Sequence, residues 1–391
     1  MSLNSMNQFK ESQLGSNFSP ENLKNFKELI ESSISFVVLS MPGVGVSYFL
    51  KYLASQDFAR FDREARRTEF IHIDLYSMPS LNQHEFYKLV LKEFGADVKE
   101  ESDEKLFEEI KHLLVKFCQK RDKVVLIFSH FDQLKKDFDW NFLSNLQSLS
   151  SLAPGKICQI FTSIKPLEEI APEAVSGGNL NFFSKDLYFK PYSPDDLKKL
   201  LDLEPKQQIS HEDLTRLIKL SGGHNQLLHI FLNSQKQQNL LLDRFVSHQL
   251  KELYEYLDYS QRKQVQNIAL RSAQGKPSFE IDEYLLGVGM VIPDEKSFKL
   301  FTPLLQDYIK TNLPHKLPVK ERILFKLLQN NMGKVVGKDE IFSTLWVDNP
   351  EKGTDWALDA LIYRLRKSSF MKANGYIIES YKKVGYTLIK I

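Results

Sequence analysis

Cysteine is nearly absent: the 391 residues hold two, Cys118 and Cys158. Each sits in an apolar run with no His or Cys neighbour at metal-ligand spacing. That excludes a disulfide framework and reads as buried thiols of a cytoplasmic protein. No stretch approaches the roughly 18 uncharged apolar residues that a membrane-crossing helix needs, so no membrane partner is expected. The opening residues, MSLNSMNQFKESQLGSNFSPENL, contain no apolar h-region. They are expected to form a short disordered tail (residues 1–21) and not a signal peptide. Internal repeats and low-complexity tracts are also lacking, which excludes solenoid and propeller architectures. Excess charge is small, a net +2.

What is present is 42% apolar and 26% charged residues, enough to bury real cores in a chain long enough for about two to four domains. The small net charge conceals an asymmetry. From Leu313 onward there are 14 Lys and Arg against 8 Asp and Glu, a net +6, while the first 312 residues carry 38 against 42, a net −4. A basic C-terminal module on a mildly acidic body points to a polyanionic partner at that end.

Along the chain, strand-like apolar runs at Phe36–Leu39, Phe70–Leu75, Lys123–Phe128, Ile157–Thr162 and Asp186–Phe189 alternate with helical patterns at 22–33, 83–95, 105–120 and 140–152. This predicts an α/β domain over residues 22–192, a parallel sheet with flanking helices. The strands lack polar alternation, as in a sheet covered on both faces. Helices then take over: 193–202, 211–220 and 224–235 form a helical lid over residues 193–239. A further unit at 240–312 has two helices and a hairpin with its turn at Pro293–Lys296, the outline of a winged helix. Leu313–Pro318 is the clearest linker. Residues 313–391 read as three helices (319–329, 337–346 and 353–369) and a hairpin of Tyr376–Tyr381 with Tyr386–Ile391. That is a second winged helix, which can place its third helix in a major groove while hairpin lysines pair with phosphates.

The stretch FVVLSMPGVGVSYFL, Phe36–Leu50, has the outline of a phosphate-binding loop: an apolar strand, a glycine-bearing turn and a helix opening near Ser47. In G-x-x-x-x-G-K-[ST], backbone amides wrap the phosphates, the Lys reaches the β/γ-phosphates and the hydroxyl holds Mg²⁺. Here Ser40 replaces the first Gly, Gly43 and Gly45 shape the turn, Val46 replaces the Lys and Ser47 keeps the hydroxyl. The segment KVVLIFSHFDQL resembles the second acidic strand of AAA+ and STAND ATPases. In that resemblance Ser129 stands for the Mg²⁺-holding Asp and His130 for the water-polarising acid. Phe161-Thr162-Ser163 resembles the strand-end sensor, and Leu220–His224 resembles the lid element of STAND proteins with Asn225 in place of its Pro. Phosphoryl transfer depends mostly on electrostatic stabilisation by Lys and Mg²⁺. Loss of all three charged groups therefore predicts a pseudo-ATPase with no catalytic residues, no metal and no required cofactor. Gly43, Gly45, Val46, Ser47, Ser129 and His130 would be vestigial nucleotide-binding positions, with weak ATP or ADP binding by backbone amides as the residual capacity.

The C-terminal segment resembles the effector domain of OmpR/PhoB-type response regulators over its whole length. It carries Leu358-Asp359-Ala360-Leu361-Ile362-Tyr363-Arg364-Leu365-Arg366-Lys367 where the family has V-D-x-x-I-x-R-L-R-K, and Lys383-Val384-Gly385-Tyr386 at the wing. Gly333-Lys334-Val335-Val336 with Ile341 and Leu345-Trp346 fits an earlier stretch. The resemblance implies a DNA-facing set of Trp356, Asp359, Tyr363, Arg364, Arg366 and Lys367 on the helix. On the wing it implies Ser380, Lys382, Lys383 and Tyr386. Trp356 and Leu361 stand where the family usually carries Arg and His facing DNA, so a sequence preference does not transfer. The body ahead of this domain does not read as a receiver, so aspartyl phosphorylation is not the expected switch. These features predict a transcriptional regulator of double-stranded DNA whose ATPase-like body supplies self-association or a surface for a regulatory protein. Two competitors are a STAND-type or origin-recognition-type ATP-dependent switch that binds DNA, and a scaffold whose winged helices bind proteins.

Overall fold

The computed structural model describes residues 23–54, 67–98, 101–133, 139–170, 172, 185–202, 209–234, 238–270, 280–295, 297–312, 318–347, 350–368, 370–371, 376–381 and 384–390. The expected tail and most of the linker lie outside them, as do Lys296, Lys382 and Lys383. The chain divides into two compact units, one from Met1–Ile268 with Ala273–Leu304, the other from Ala269–Ser272 with Leu305–Ile391. No helix among the described residues is long and apolar enough to cross a membrane.

The first unit opens with α1 (Leu23–Glu31), β1 (Phe36–Ser40), α2 (Val46–Leu53) and β2 (Thr68–Asp74). It continues through α3 (Gln83–Glu93), α4 (Asp103–Lys120), β3 (Lys123–Ser129), α5 (Trp140–Ser150), β4 (Ile157–Ser163), α6 (Leu167–Ile170) and β5 (Asp186–Phe189). The five strands form a parallel sheet in the order β2-β3-β4-β1-β5. Every residue of β1 and β4 is buried, the pattern of central strands covered on both faces. Phenylalanines fill both sides. Phe26 packs edge-on against Phe36 and Phe49, and Phe49 meets Phe189. Elsewhere Phe86 stacks on Phe128, Phe128 on Phe161, and Phe131 sits edge-on to Phe161. Cys118 and Cys158 are free and buried, and burial pushes the Cys158 thiol up to about 12.

Three helices follow, α7 (Pro194–Asp202), α8 (His211–Ser221) and α9 (Asn225–Asn233), then α10 (Arg244–Glu255), α11 (Tyr259–Leu270), α12 (Glu283–Gly287) and the antiparallel pair β6 (Val291–Asp294) and β7 (Ser297–Leu300). These strands reach into the segment expected as turn, pairing Pro293 with Phe298 and Asp294 with Ser297, and an Asp294–Lys299 ion pair ties their ends at 3.1 Å. The chain passes to the second unit within α13 (Pro303–Asn312).

That unit contains α14 (Val319–Asn330), β8 (Val336–Gly337), α15 (Lys338–Leu345), α16 (Asp355–Lys367), β9 (Tyr376–Tyr381) and β10 (Gly385–Lys390). Its core gathers Leu324, Phe325 and Leu328 of α14, Ile341 and Leu345 of α15, and Leu358, Leu361, Ile362 and Leu365 of α16. The last four recur at the spacing of one helical stripe. Thr354 caps α16 by accepting a hydrogen bond from the Ala357 amide. The hairpin is the expected one, but β10 also pairs with the two-residue β8, a strand too short to leave a periodic signal.

Candidate functional site

Two places carry chemistry, one in each unit. In the first, β1 ends at Ser40 and the chain turns through Gly43 (φ 72°) and Gly45 (φ 108°) into α2. Both glycines occupy the left-handed region that L side chains avoid. A Cβ on Gly43 would lie 1.8 Å from Gln226 Oε1, and one on Gly45 would lie 2.8 Å from the Tyr192 ring. The closeness follows from a clamp on four consecutive carbonyls. Pro42 O accepts from His224 Nε2 (2.8 Å), Gly43 O from the Gln226 amide (3.1 Å), Val44 O from the Asn225 amide (3.4 Å) and Gly45 O from the Tyr192 hydroxyl (2.8 Å). Val46 and Ser47 open α2, where peptide N–H groups have no intrahelical acceptor. Such an end attracts anions.

His224 has a double role. It is the N-cap of α9: its Nδ1 accepts from the Leu227 amide at 3.2 Å while Nε2 donates to the loop. Only the neutral ring with its proton on Nε2 satisfies both bonds. Burial is complete and drives its pKa down to about 4, against the smaller opposing effect of the Pro42 carbonyl.

The loop lines a cleft of about 790 Å³ together with Tyr76, His130, Asp132, Thr162, Ser163, Asn225, His229, Glu252 and Glu255, among others. The acidic side chains on this lining are Asp132, Glu252 and Glu255, and among the described residues no Lys or Arg lines it. Val46, half-buried, lines the cleft at the position where the phosphate-loop pattern has its Lys.

At the end of β3 the two substituted positions part company. Ser129 is fully buried, off the cleft, and its Oγ hydrogen-bonds His72 Nε2 at 2.6 Å. The expected nucleotide-side position is therefore a packing position. His130 does line the cleft, in a left-handed conformation (φ 60°) that is uncommon for a residue with a Cβ. Three contacts hold it there: its amide donates to Thr162 Oγ1 at 2.9 Å, its Nδ1 meets Asp74 Oδ1 at 2.7 Å, and Tyr76 stacks on the ring at 3.8 Å. Burial works to raise the Asp74 pKa, but the His130 hydrogen bond and charge outweigh it and hold the carboxyl below its ordinary value. Burial raises Asp132 and lowers His72 to about 4.

Sequence reasoning missed Asp74, Tyr192 and His224 as partners of this site. Asp74 had a legible signal: it closes β2 in register with Ser129, at the carboxyl edge where parallel sheets bind ligands. Tyr192 and His224 act on the loop through contacts across 147 and 182 residues of sequence, which no local pattern reveals.

In the second unit α16 presents Asp355, Trp356, Asp359, Tyr363, Arg364, Arg366 and Lys367 to solvent. The residues expected to face DNA sort into two groups. Arg364 pairs with the buried Glu321 at 3.0 Å. Arg366 donates to Ile378 O (3.0 Å) and to Ser380 Oγ (2.6 Å), pinning the hairpin to the helix. Tyr386 is buried, and its hydroxyl donates to Asp359 Oδ1 at 2.7 Å. Burial, then the Asp359 bond and charge, push its pKa up to about 12. These side chains hold the fold in the structure described. By contrast Trp356 and Tyr363 are 81% and 63% exposed, with Lys367 over the Tyr363 ring at 5.9 Å. Leu361 packs in the core, so it does not present a DNA-facing position. Lys382 and Lys383 lie outside the described residues.

Residues 312–388 match the family described as Transcriptional regulatory protein, C terminal. This C-terminal unit is thus a winged-helix DNA-binding domain of the transcriptional-regulator type. No match was found among curated proteins. Among solved structures, the chain is similar to the ORC1 protein of Aeropyrum pernix in complex with DNA, at 11% identity over 97% of this chain and 91% of that one, with TM-score 0.41. It is also similar to a Walker-type ATPase of Pyrococcus abyssi, at 14% identity over 75% and 96%, TM-score 0.46. A third is a RuvB variant of Thermotoga maritima, at 14% identity over 81% and 96%, TM-score 0.31.

Proposed function

We propose that this chain is a DNA-binding transcriptional regulator in which the C-terminal winged helix reads double-stranded DNA and an ATPase-like body acts as sensor or scaffold without hydrolysing ATP. The observation that carries it is the family match over residues 312–388, laid on three helices and a hairpin whose third helix turns an aromatic and basic face outward. The net +6 of that region supports a phosphate-bearing partner.

The body's part follows from its residues. The amide cradle and the Ser47 hydroxyl suit a phosphate group. A triphosphate with Mg²⁺ needs in addition a cation at the loop and a metal-holding carboxylate at the end of β3. Val46 supplies no charge, Ser129 turns to His72, and Asp74 is engaged by His130. Acidic side chains on the cleft wall oppose an anion further. A cleft of this composition is suited to weak phosphate contact and unsuited to phosphoryl transfer.

The test is fluorescence anisotropy of the full chain on genomic duplex fragments at two salt concentrations. Lys367→Glu serves as the variant because Arg364 and Arg366 also support the fold. Salt-sensitive binding that weakens in the variant is expected; no binding at low salt by the wild type refutes the DNA-reading assignment. For the body, Mg²⁺-dependent ATP turnover above the blank and lost in Ser47→Ala would instead make it an active switch.

A further inference from the structure

Resting on the DNA-binding reading, we infer that α16 selects its site by apolar contact with thymine methyl groups, with Trp356 and Tyr363 as the two specificity-determining residues. The fold itself occupies the polar side chains that would otherwise read base edges. Arg364 neutralises the buried Glu321, Arg366 clamps the hairpin, and one oxygen of Asp359 is taken by the Tyr386 hydroxyl. What the helix leaves outward is an apolar ridge. Trp356 is 81% and Tyr363 63% exposed, and half-buried Ala360 lies between them. A separation of seven residues returns nearly to the same helix face, and at 1.5 Å per residue puts the two rings about 10 Å apart along the axis.

Covering two large aromatic side chains that share one helix face is favourable. Charge decides which surface. Lys367 lies over the Tyr363 ring, Asp355 and Asp359 stand nearer Trp356, and the region as a whole carries net +6, so the complementary partner is anionic at its edges and apolar at its centre. The major groove of DNA has this layout: phosphates along both rims, and on its floor one exposed apolar group, the thymine 5-methyl. A helix fits that groove, and about 10 Å along it corresponds to about three base-pair steps. The predicted signature is two thymines about three steps apart.

Duplexes that bind most tightly to the full chain would be selected from a randomised pool. Each thymine of the winners would then be replaced by deoxyuridine, which removes the methyl and keeps the pairing. Anisotropy is expected to show two positions, about three steps apart, at which the replacement weakens binding about fourfold, the value of one buried methyl-sized group. In Trp356→Ala one of these sensitivities should vanish and in Tyr363→Ala the other. Circular dichroism melts of both variants should match the wild type, since both side chains are exposed. Tight, salt-sensitive binding that is indifferent to deoxyuridine everywhere, or that keeps both sensitivities in the variants, overturns the methyl readout and leaves DNA binding intact. Absence of any selected duplex overturns this inference together with the reading beneath it.

Discussion

Acidification should loosen the clamp on the phosphate loop through His224. The ring is fully buried, caps α9 with Nδ1 and donates from Nε2 to Pro42. A second proton would have to enter on Nδ1, facing the Leu227 amide, which cannot then donate. Burial accordingly lowers the pKa from 6.5 to about 4. In the unfolded chain the ring keeps its ordinary value, so the unfolded state takes the proton first. The stabilisation by neutral His224 is therefore complete above about pH 6.5, declines as pH falls below it, and is exhausted below about pH 4. The whole shift is worth roughly 3 kcal/mol, and the part falling between about pH 7.5 and about pH 5 is roughly 2 kcal/mol. His72, also lowered to about 4, adds a similar dependence of its own. Comparison with His224→Asn separates the two, because His72 titrates in both proteins. Asn keeps a good cap acceptor but does not titrate and is too short for Pro42. At about pH 7.5 the variant should be less stable by about 1–2 kcal/mol for the lost hydrogen bond. At about pH 5 that deficit should shrink by about 2 kcal/mol, to parity or a slight advantage. Hydrogen exchange by mass spectrometry, read on peptides spanning β1–α2 and α9, measures the opening free energy locally. Equal pH slopes in wild type and variant would refute the assignment of this titration to His224.

The Gly43→Ala variant should lose about 1–2 kcal/mol from backbone strain alone, measured by thermal melting. Adding Gln226→Ala should recover the share due to the side-chain overlap and not the share due to φ. Arg364→Ala should destabilise the C-terminal unit by about 1–2 kcal/mol, because Glu321 is then left buried without its partner, the exposure of Arg364 reducing the effect below that of a fully buried pair. Glu321→Gln in the same chain should restore most of the loss in urea unfolding. Arg366→Ala should raise hydrogen exchange in β9 and lower DNA affinity, while Ser380→Ala, which removes one of its two hairpin bonds, should show a smaller effect of the same sign. Tyr386→Phe should cost about 1 kcal/mol of unfolding free energy through the lost bond to Asp359.

The contrast between these sites explains what could be read from the sequence. Strands and helices whose signal is local were legible: β3 is an unbroken apolar run from Val124 to Phe128, and the 3–4 spacing of Leu358, Leu361, Ile362 and Leu365 is the mark of the buried stripe of α16. The same stripe puts Leu361 inside and Trp356 and Tyr363 outside. A motif alignment assigns roles to columns and passes over that distinction. Charged residues were harder, because an Arg on an exposed helix face serves equally to bind a phosphate or to answer a buried carboxylate. Only Glu321, 43 residues earlier, decides for Arg364, and only the β9 carbonyl and hydroxyl decide for Arg366. The phosphate loop shows the same division. Its turn was written in Gly43 and Gly45, but its rigidity comes from His224, Asn225, Gln226 and Tyr192, which the fold brings to four successive carbonyls. Val46 brings no charge to the loop, and no bond of this backbone clamp uses the side chain at position 46. The shape of the loop is thus set by contacts from distant parts of the chain and does not depend on a charge at position 46.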